Sequence, residues 1–212
     1  MKPIFIAEIK TKSPHGFKSD HTFIELMELA ITYGDWISVH TNALWGGDFE
    51  SISFVRKYTD KPILAKGLHT TDNDIERALD HGADYVLLVD PIHFPGFGQR
   101  QWLFNKCLYE INDIDFIKKE VPLYHELKNQ KFVYNSRDLR TGEPKKSNKI
   151  DVFFDAGLWT CQASNIRVLS DVNPRVNAFI VGEHLPDFCA RLPISYDGGK
   201  VPSIIKNTFV IQ

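Results

Sequence analysis

A closed (β/α)8 TIM barrel is the fold this sequence predicts, on three observations. Eight short apolar runs punctuate the chain. Segments of helical periodicity alternate with them through the first half. Five of the runs end in a charged or amide residue, and polar residues at the carboxyl ends of successive buried strands mark the working face of such a barrel. A length of 212 residues suits one domain, residues 1–212, with 192–212 as a C-terminal tail.

The first strand, Pro3–Lys10, ends in Glu8 and Lys10. Phe23, Leu26, Met27, Leu29 and Ala30 then repeat at helical spacing. Trp36–His40 is the second strand, and Asp48 is a good N-cap for a helix carrying Ile52, Phe54 and Val55. The third strand ends at Lys66, and Thr71 or Asp72 caps the next helix. Tyr85–Val89 is nearly continuous in apolar residues, as expected of a sheet covered on both sides. A short helix around Gln101–Leu103 is all that fits before the strand Cys107–Glu110. The stretch 113–127 reads as helix broken at Pro122.

Phe132–Asn135 is the sixth strand, Val152–Asp155 the seventh and Asn177–Val181 the eighth. The polar segment 137–149 reads as a loop in place of the sixth helix, with Lys145, Lys146 and Lys149 on a solvated face. The fourth helix is also pared down. A short helix around His184–Cys189 follows the eighth strand, and the Gly-rich turn at Gly198-Gly199 suggests a hairpin in the tail.

Composition narrows the class. Hydrophobic content of 43% and charged content of 25% are ordinary for a globular protein, and a net charge of -2 argues against a nucleic-acid or acidic-membrane binder. Cys107, Cys161 and Cys189 are widely spaced and odd in number, which points to a reducing compartment rather than a disulfide scaffold or zinc site. The start is too short in apolar run for a signal peptide, and no stretch approaches transmembrane length, so a cytoplasmic location is expected.

Strand alternation then gathers the chemistry. Ile4, Ile6, Glu8 and Lys10 share one face; so do Leu64 and Lys66, Leu108 and Glu110, Val133 and Asn135, Phe153 and Asp155. If the apolar members fill the barrel, the polar ones meet at its mouth. Two lysines among carboxylates can serve as acid–base groups, one of them drawn toward neutrality by burial and its like-charged neighbour while the carboxylates oppose that shift. A structural ion-pair network is the competing explanation. Ser13, Gly157 and Gly182 lie where hydroxyl and backbone N–H groups can hold a phosphate, although a tight turn explains each glycine equally well.

These residues fall in recognisable strings. Phe5-Ile-Ala-Glu-Ile-Lys-Thr-Lys-Ser-Pro14 resembles the AEIK-x-x-SP signature of the indole-3-glycerol phosphate synthase family. Ile37-Ser-Val-His-Thr41 with Leu44-Trp-Gly-Gly47 resembles its SVLTD and FFGG segments, and Pro62-Ile-Leu-Ala-Lys-Gly-Leu68 its PVLRKDF. Gly82–Leu88, Tyr109–Asn112, Asn135–Leu139 and Val181–Leu185 are similar to GADAVLL, VEVH, NNRDL and VGE-x-L. The likeness runs to about Leu185.

The resemblance implies a decarboxylating and dehydrating ring closure of an anthranilate-derived aminodeoxyribulose 5-phosphate, with no metal or organic cofactor. It implies Lys66 as general acid, Lys10 as partner of the substrate carboxylate, and Glu110 as acid or base in dehydration. Glu8 and Asn135 would orient these groups. Ser13, Gly157 and Gly182 would hold phosphate beside Glu183, Trp45, Leu68 and Leu88 would form the slot for the aromatic ring, and Arg137 would stiffen the site. Several positions depart from the pattern. The family's seventh-strand ESGI appears as Asp155-Ala-Gly-Leu158, Gly67 and Leu68 replace an Asp and an aromatic, and His40 stands where the family has Leu. The N-terminal lid helices are expected to be missing, which leaves room for a homo-oligomer or a partner chain over the barrel mouth. Alternatives are a divergent lyase or isomerase acting on another amino-sugar phosphate, and a non-catalytic ligand-binding barrel.

Overall fold

The computed structural model describes residues 2–91, 105–122, 125–137, 142–145 and 149–192. Eight parallel strands close into a barrel in sequence order: β1 (Ile4–Ile9), β2 (Trp36–His40), β3 (Ile63–Lys66), β4 (Tyr85–Val89), β5 (Cys107–Glu110), β6 (Lys131–Asn135), β7 (Trp159–Ala163) and β8 (Ala178–Val181). Strand β8 returns to pair with β1 through Ile4–Ala178 and Ile6–Ile180, which closes the sheet. The helices α1 (Phe23–Tyr33), α2 (Phe49–Arg56), α3 (Asp72–Asp80), α4 (Ile114–Lys119), α5 (His125–Lys128) and α6 (Asp151–Asp155) lie between strands in the chain, and α7 (Leu185–Ala190) follows β8.

The expected starts of the early helices hold. Thr22 and Thr71 each form a capping box with the acidic residue three positions on, and the Asp48 carboxylate accepts from the Ser51 N–H. Each such cap contributes on the order of 1 kcal/mol by satisfying amides that the first helical turn leaves open. The break near Pro122 separates α4 from α5. The helix expected at 101–103 and the tail beyond 192 lie outside the described residues, as does nearly all of the segment that would hold the fourth helix.

Alternation splits the core in two. Ile6, Leu64, Leu87, Leu108, Val133, Cys161, Ala163, Ala178 and Ile180 fill the barrel, while Phe5, Ile37, Val86, Leu88, Phe132 and Phe179 face the helices. The amino-terminal end is plugged by stacked Trp36 and Tyr85 rings, 4.5 Å apart, with the Lys131 ammonium 5.2 Å above Tyr85. Among the described residues this closes the amino-terminal end of the barrel interior.

The seventh strand corrects the expectation. Residues 151–155 are helix α6, with Phe153 buried from outside the barrel against Phe132 and Tyr134. An apolar run this short has no period long enough to distinguish strand from helix. The true strand, Trp159-Thr-Cys-Gln-Ala163, hides behind its polar members. Gln162 faces away from the barrel interior, and its amide joins the loop after the strand by donating to the Asp171 carbonyl and accepting from the Asn173 N–H, both at 2.8 Å. Asp155 is therefore exposed on a helix, 3.9 Å from Arg175. Gly157 (φ +70°) turns the chain into β7 at the opposite end from the cavity. Neither residue reaches the barrel mouth.

Candidate active site

Four strand ends deliver the expected side chains into one hollow. Glu8 and Lys10 from β1, Lys66 from β3, Glu110 from β5 and Asn135 from β6 line one cavity at the carboxyl-terminal face. Ser13, Trp45, Leu68, Arg137 and Glu183 complete its wall together with His40 and Leu87. Gly182 lines an adjoining lobe between β7 and β8, with Ser164, Asn165 and His184. A Cβ at Gly182 would run into the Glu8 carboxylate, so only glycine lets β8 pass that group.

Leu88 is not in the slot. It is buried on the helix side of β4, and Leu87 takes its place in the cavity. The run Val86–Val89 is apolar on both faces, so only the strand register decides which leucine points inward. Lys145 corrects the solvated-face reading. Its ammonium donates to Asn112 Oδ1 at 2.8 Å and lies 5.3 Å above the Tyr134 ring. The Asn112 amide in turn donates to the Asp90 carboxylate at 2.8 Å, which ties the loop after β6 to the ends of β4 and β5.

Two hydrogen-bonded groups organise the polar residues. In the first, Glu8 Oε1 accepts from Lys66 Nζ at 3.0 Å and meets His40 Nε2 at 2.5 Å. Burial alone would raise the Glu8 carboxyl, but Lys66, His40 and Lys10 outweigh it and hold it well below the usual carboxylate range. Burial would likewise lower the Lys66 ammonium, and the Glu8 and Glu110 charges overturn that and raise it. The expectation that a lysine here drifts toward neutrality does not hold for Lys66: it is a firmly charged acid. Burial lowers His40 against the opposing pull of Glu8, so the imidazole is neutral and its Nε2–H donates.

In the second group, Glu183 Oε1 accepts from Lys10 Nζ at 2.8 Å and from Arg137 Nη1 at 2.9 Å, and these cations keep its carboxyl low against burial. Apart from both groups stands Glu110. It is 1% exposed, and Oε1 accepts from Asn135 Nδ2 at 3.0 Å while Oε2 has no partner among the described residues. Burial raises its carboxyl, with Lys66 and Asn135 pulling the other way. A charged acid and a carboxyl biased toward its protonated form thus face one cavity, the pairing that stepwise acid–base chemistry needs.

Sequence reasoning missed two features. The residues at the end of β7 are Ala163-Ser164-Asn165-Ile166, with Ser164 and Asn165 both in the left-handed region (φ +69° and +57°). This tetrapeptide, rather than 155–158, stands at the strand end where the ESGI motif belongs. It retains the serine and lacks the carboxylate, since Ala163 occupies the first position. The second is His40, which the same parity that found Lys66 would have placed inward with Trp36 and Ser38.

Residues 1–93 match the family model described as indole-3-glycerol phosphate synthase. The chain is 28% identical over 193 residues to the indole-3-glycerol phosphate synthase of Campylobacter concisus, covering 84% of this chain and 72% of that one. It is 26% identical over 197 residues to the protein of the same name from Nautilia profundicola, covering 84% and 73%. Over these stretches the chain is similar to indole-3-glycerol phosphate synthases. Among solved structures it is similar to KGPDC from Streptococcus mutans, with a TM-score of 0.60 over 86% of this chain and 88% of that one. At 14% identity that likeness speaks for the barrel alone. Among the described residues no helix is long and apolar enough to cross a membrane, and no cluster of His, Cys, Asp and Glu could hold a metal ion.

Proposed function

We propose that this chain is a lyase that closes the indole ring of an anthranilate-derived aminodeoxyribulose 5-phosphate, releasing carbon dioxide and water. The observation that carries this reading is the convergence of Lys66 and Glu110 on one cavity that also holds Lys10 and Arg137. The substrate's phosphate would occupy the lobe between Gly182 and Ser164, with Ser13 across the adjoining cavity, while Lys10 meets the carboxylate and Arg137 holds Glu183 in place. Its aromatic ring would lie against Trp45, Leu68 and Leu87.

In the first step the ring carbon bearing the carboxylate attacks the ribulose carbonyl carbon. The Lys66 ammonium, kept charged by Glu8, gives its proton to the carbonyl oxygen. The carboxylate then leaves as carbon dioxide, and its electron pair restores aromaticity. In the second step the new hydroxyl takes a proton from Glu110 and departs as water, pushed by the ring nitrogen. The Glu110 carboxylate left behind takes up the neighbouring C–H proton, which completes the indole. Asn135 orients Glu110 through the bond it donates.

Turnover is tested by incubating the purified chain with that substrate and following indole absorbance. Appearance of the product, abolished in Lys66→Ala, supports the reading. Ala163 and His40 favour a second reading, a lyase or isomerase acting on another amino-sugar phosphate. No indole together with thermal protection by a pentose phosphate would move the assignment there.

A further inference from the structure

Glu8 is held on three sides. Its Oε1 takes bonds from His40 Nε2 and Lys66 Nζ, and Gly182 packs against the rest of the carboxylate. The imidazole is itself clamped. It is 4% exposed, its ring lies parallel to that of Trp45 at 5.9 Å, and Gly47 sits tightly against its backbone carbonyl. His40 therefore has one hydrogen-bonding task among the described residues, because Nδ1 has no partner. No step of the proposed reaction uses it.

We propose that His40 is a positioning residue: by donating to the oxygen of Glu8 that also binds Lys66, it fixes the carboxylate and divides its charge, setting both the place and the acidity of the Lys66 ammonium. A carboxylate oxygen shared between two donors gives less to each. Without the imidazole, Glu8 turns wholly to Lys66, which becomes a weaker acid and shifts from its place opposite the substrate carbonyl. Other charged or titratable groups facing Lys66 are Lys10 from β1, Glu110 from β5, Cys161 from β7, and Arg137 and Glu183 at the rim. None of them touches the shared oxygen. Trp45 lines the same cavity, so a ring bound against it presses on the clamp that holds His40.

The kinetic arm of the test rests on the proposed reaction; the labelling arm needs no substrate. His40→Leu removes the donor, and His40→Gln returns an N–H near Nε2. Competitive labelling of Lys66 with acetic anhydride across pH reports its ionisation directly. The midpoint is expected to move to higher pH in H40L and to return toward wild type in H40Q. With turnover, kcat in H40L is expected to fall roughly 10- to 100-fold at little change in KM, the scale of a small misplacement of a reacting group. Superimposed labelling profiles for wild type and H40L, both folded by circular dichroism, would overturn the inference, as would an H40Q profile displaced as far as that of H40L. Failure of the wild-type chain to turn over the substrate would refute the proposed reaction and leave the labelling result to decide the role of His40.

Discussion

Replacing Lys66 with Met probes the cavity through stability alone. Methionine keeps most of the side chain's length and removes its charge. Lys66 Nζ stands 3.0 Å from Glu8 Oε1, and both side chains are largely shielded, at 16% and 6% exposure. Breaking a buried pair by removing one partner typically costs 3–5 kcal/mol, and the lower figure applies because His40 still donates to the same oxygen, giving about 3 kcal/mol. For a chain of this size that lowers Tm by roughly 6–12 °C. Differential scanning calorimetry at neutral pH reads it. A carboxyl held low contributes stability that is present above its ordinary value and lost as pH falls through its folded one. In the variant Glu8 lacks its largest favourable partner, so the gap to wild type is expected to be widest near neutrality and to narrow toward acid. A Tm within 2 °C of wild type at pH 7 would refute the reasoning, because Glu8 would then not depend on Lys66.

Other perturbations test the remaining parts. Burial raises Glu110, so its contribution to stability falls as pH rises from the ordinary carboxylate range through its raised value. Glu110→Gln is therefore expected to raise Tm above neutrality, by a few degrees if it recovers about 1 kcal/mol, and to abolish turnover. Gly182→Ala forces a Cβ against the Glu8 carboxylate and is expected to lower kcat at least ten-fold in a steady-state assay. Asp155→Ala, on the exposed face of α6, is expected to change stability by no more than about 0.5 kcal/mol in urea and to leave turnover intact.

Much of the site was legible because the signal is local. On a buried strand with one polar residue at its end, alternation leaves a single inward choice, and this placed Glu8, Lys66, Glu110 and Asn135. Where that contrast is missing, the sequence is silent. Leu87 and Leu88 are interchangeable until pairing with β5 fixes their faces. Val152–Phe154 mimics a strand because packing against Phe132 and Tyr134 makes a helix equally apolar. Lys145 sits in a segment with no periodicity, and its inward turn depends on Asn112, 33 residues away. The bond between His40 and Glu8 spans 32 residues and two strands, so neither side chain announces the other.

The central claim is that one molecule can touch Lys10, Lys66 and Glu110 together. A crystal structure with the carbonyl-reduced form of the substrate bound tests it most directly. The phosphate is expected between Gly182 and Ser164, the reduced carbonyl oxygen within hydrogen-bond reach of Lys66 Nζ, and the ring beside Trp45. A ligand seated away from Lys66, or one whose phosphate points toward Trp45, would contradict the account.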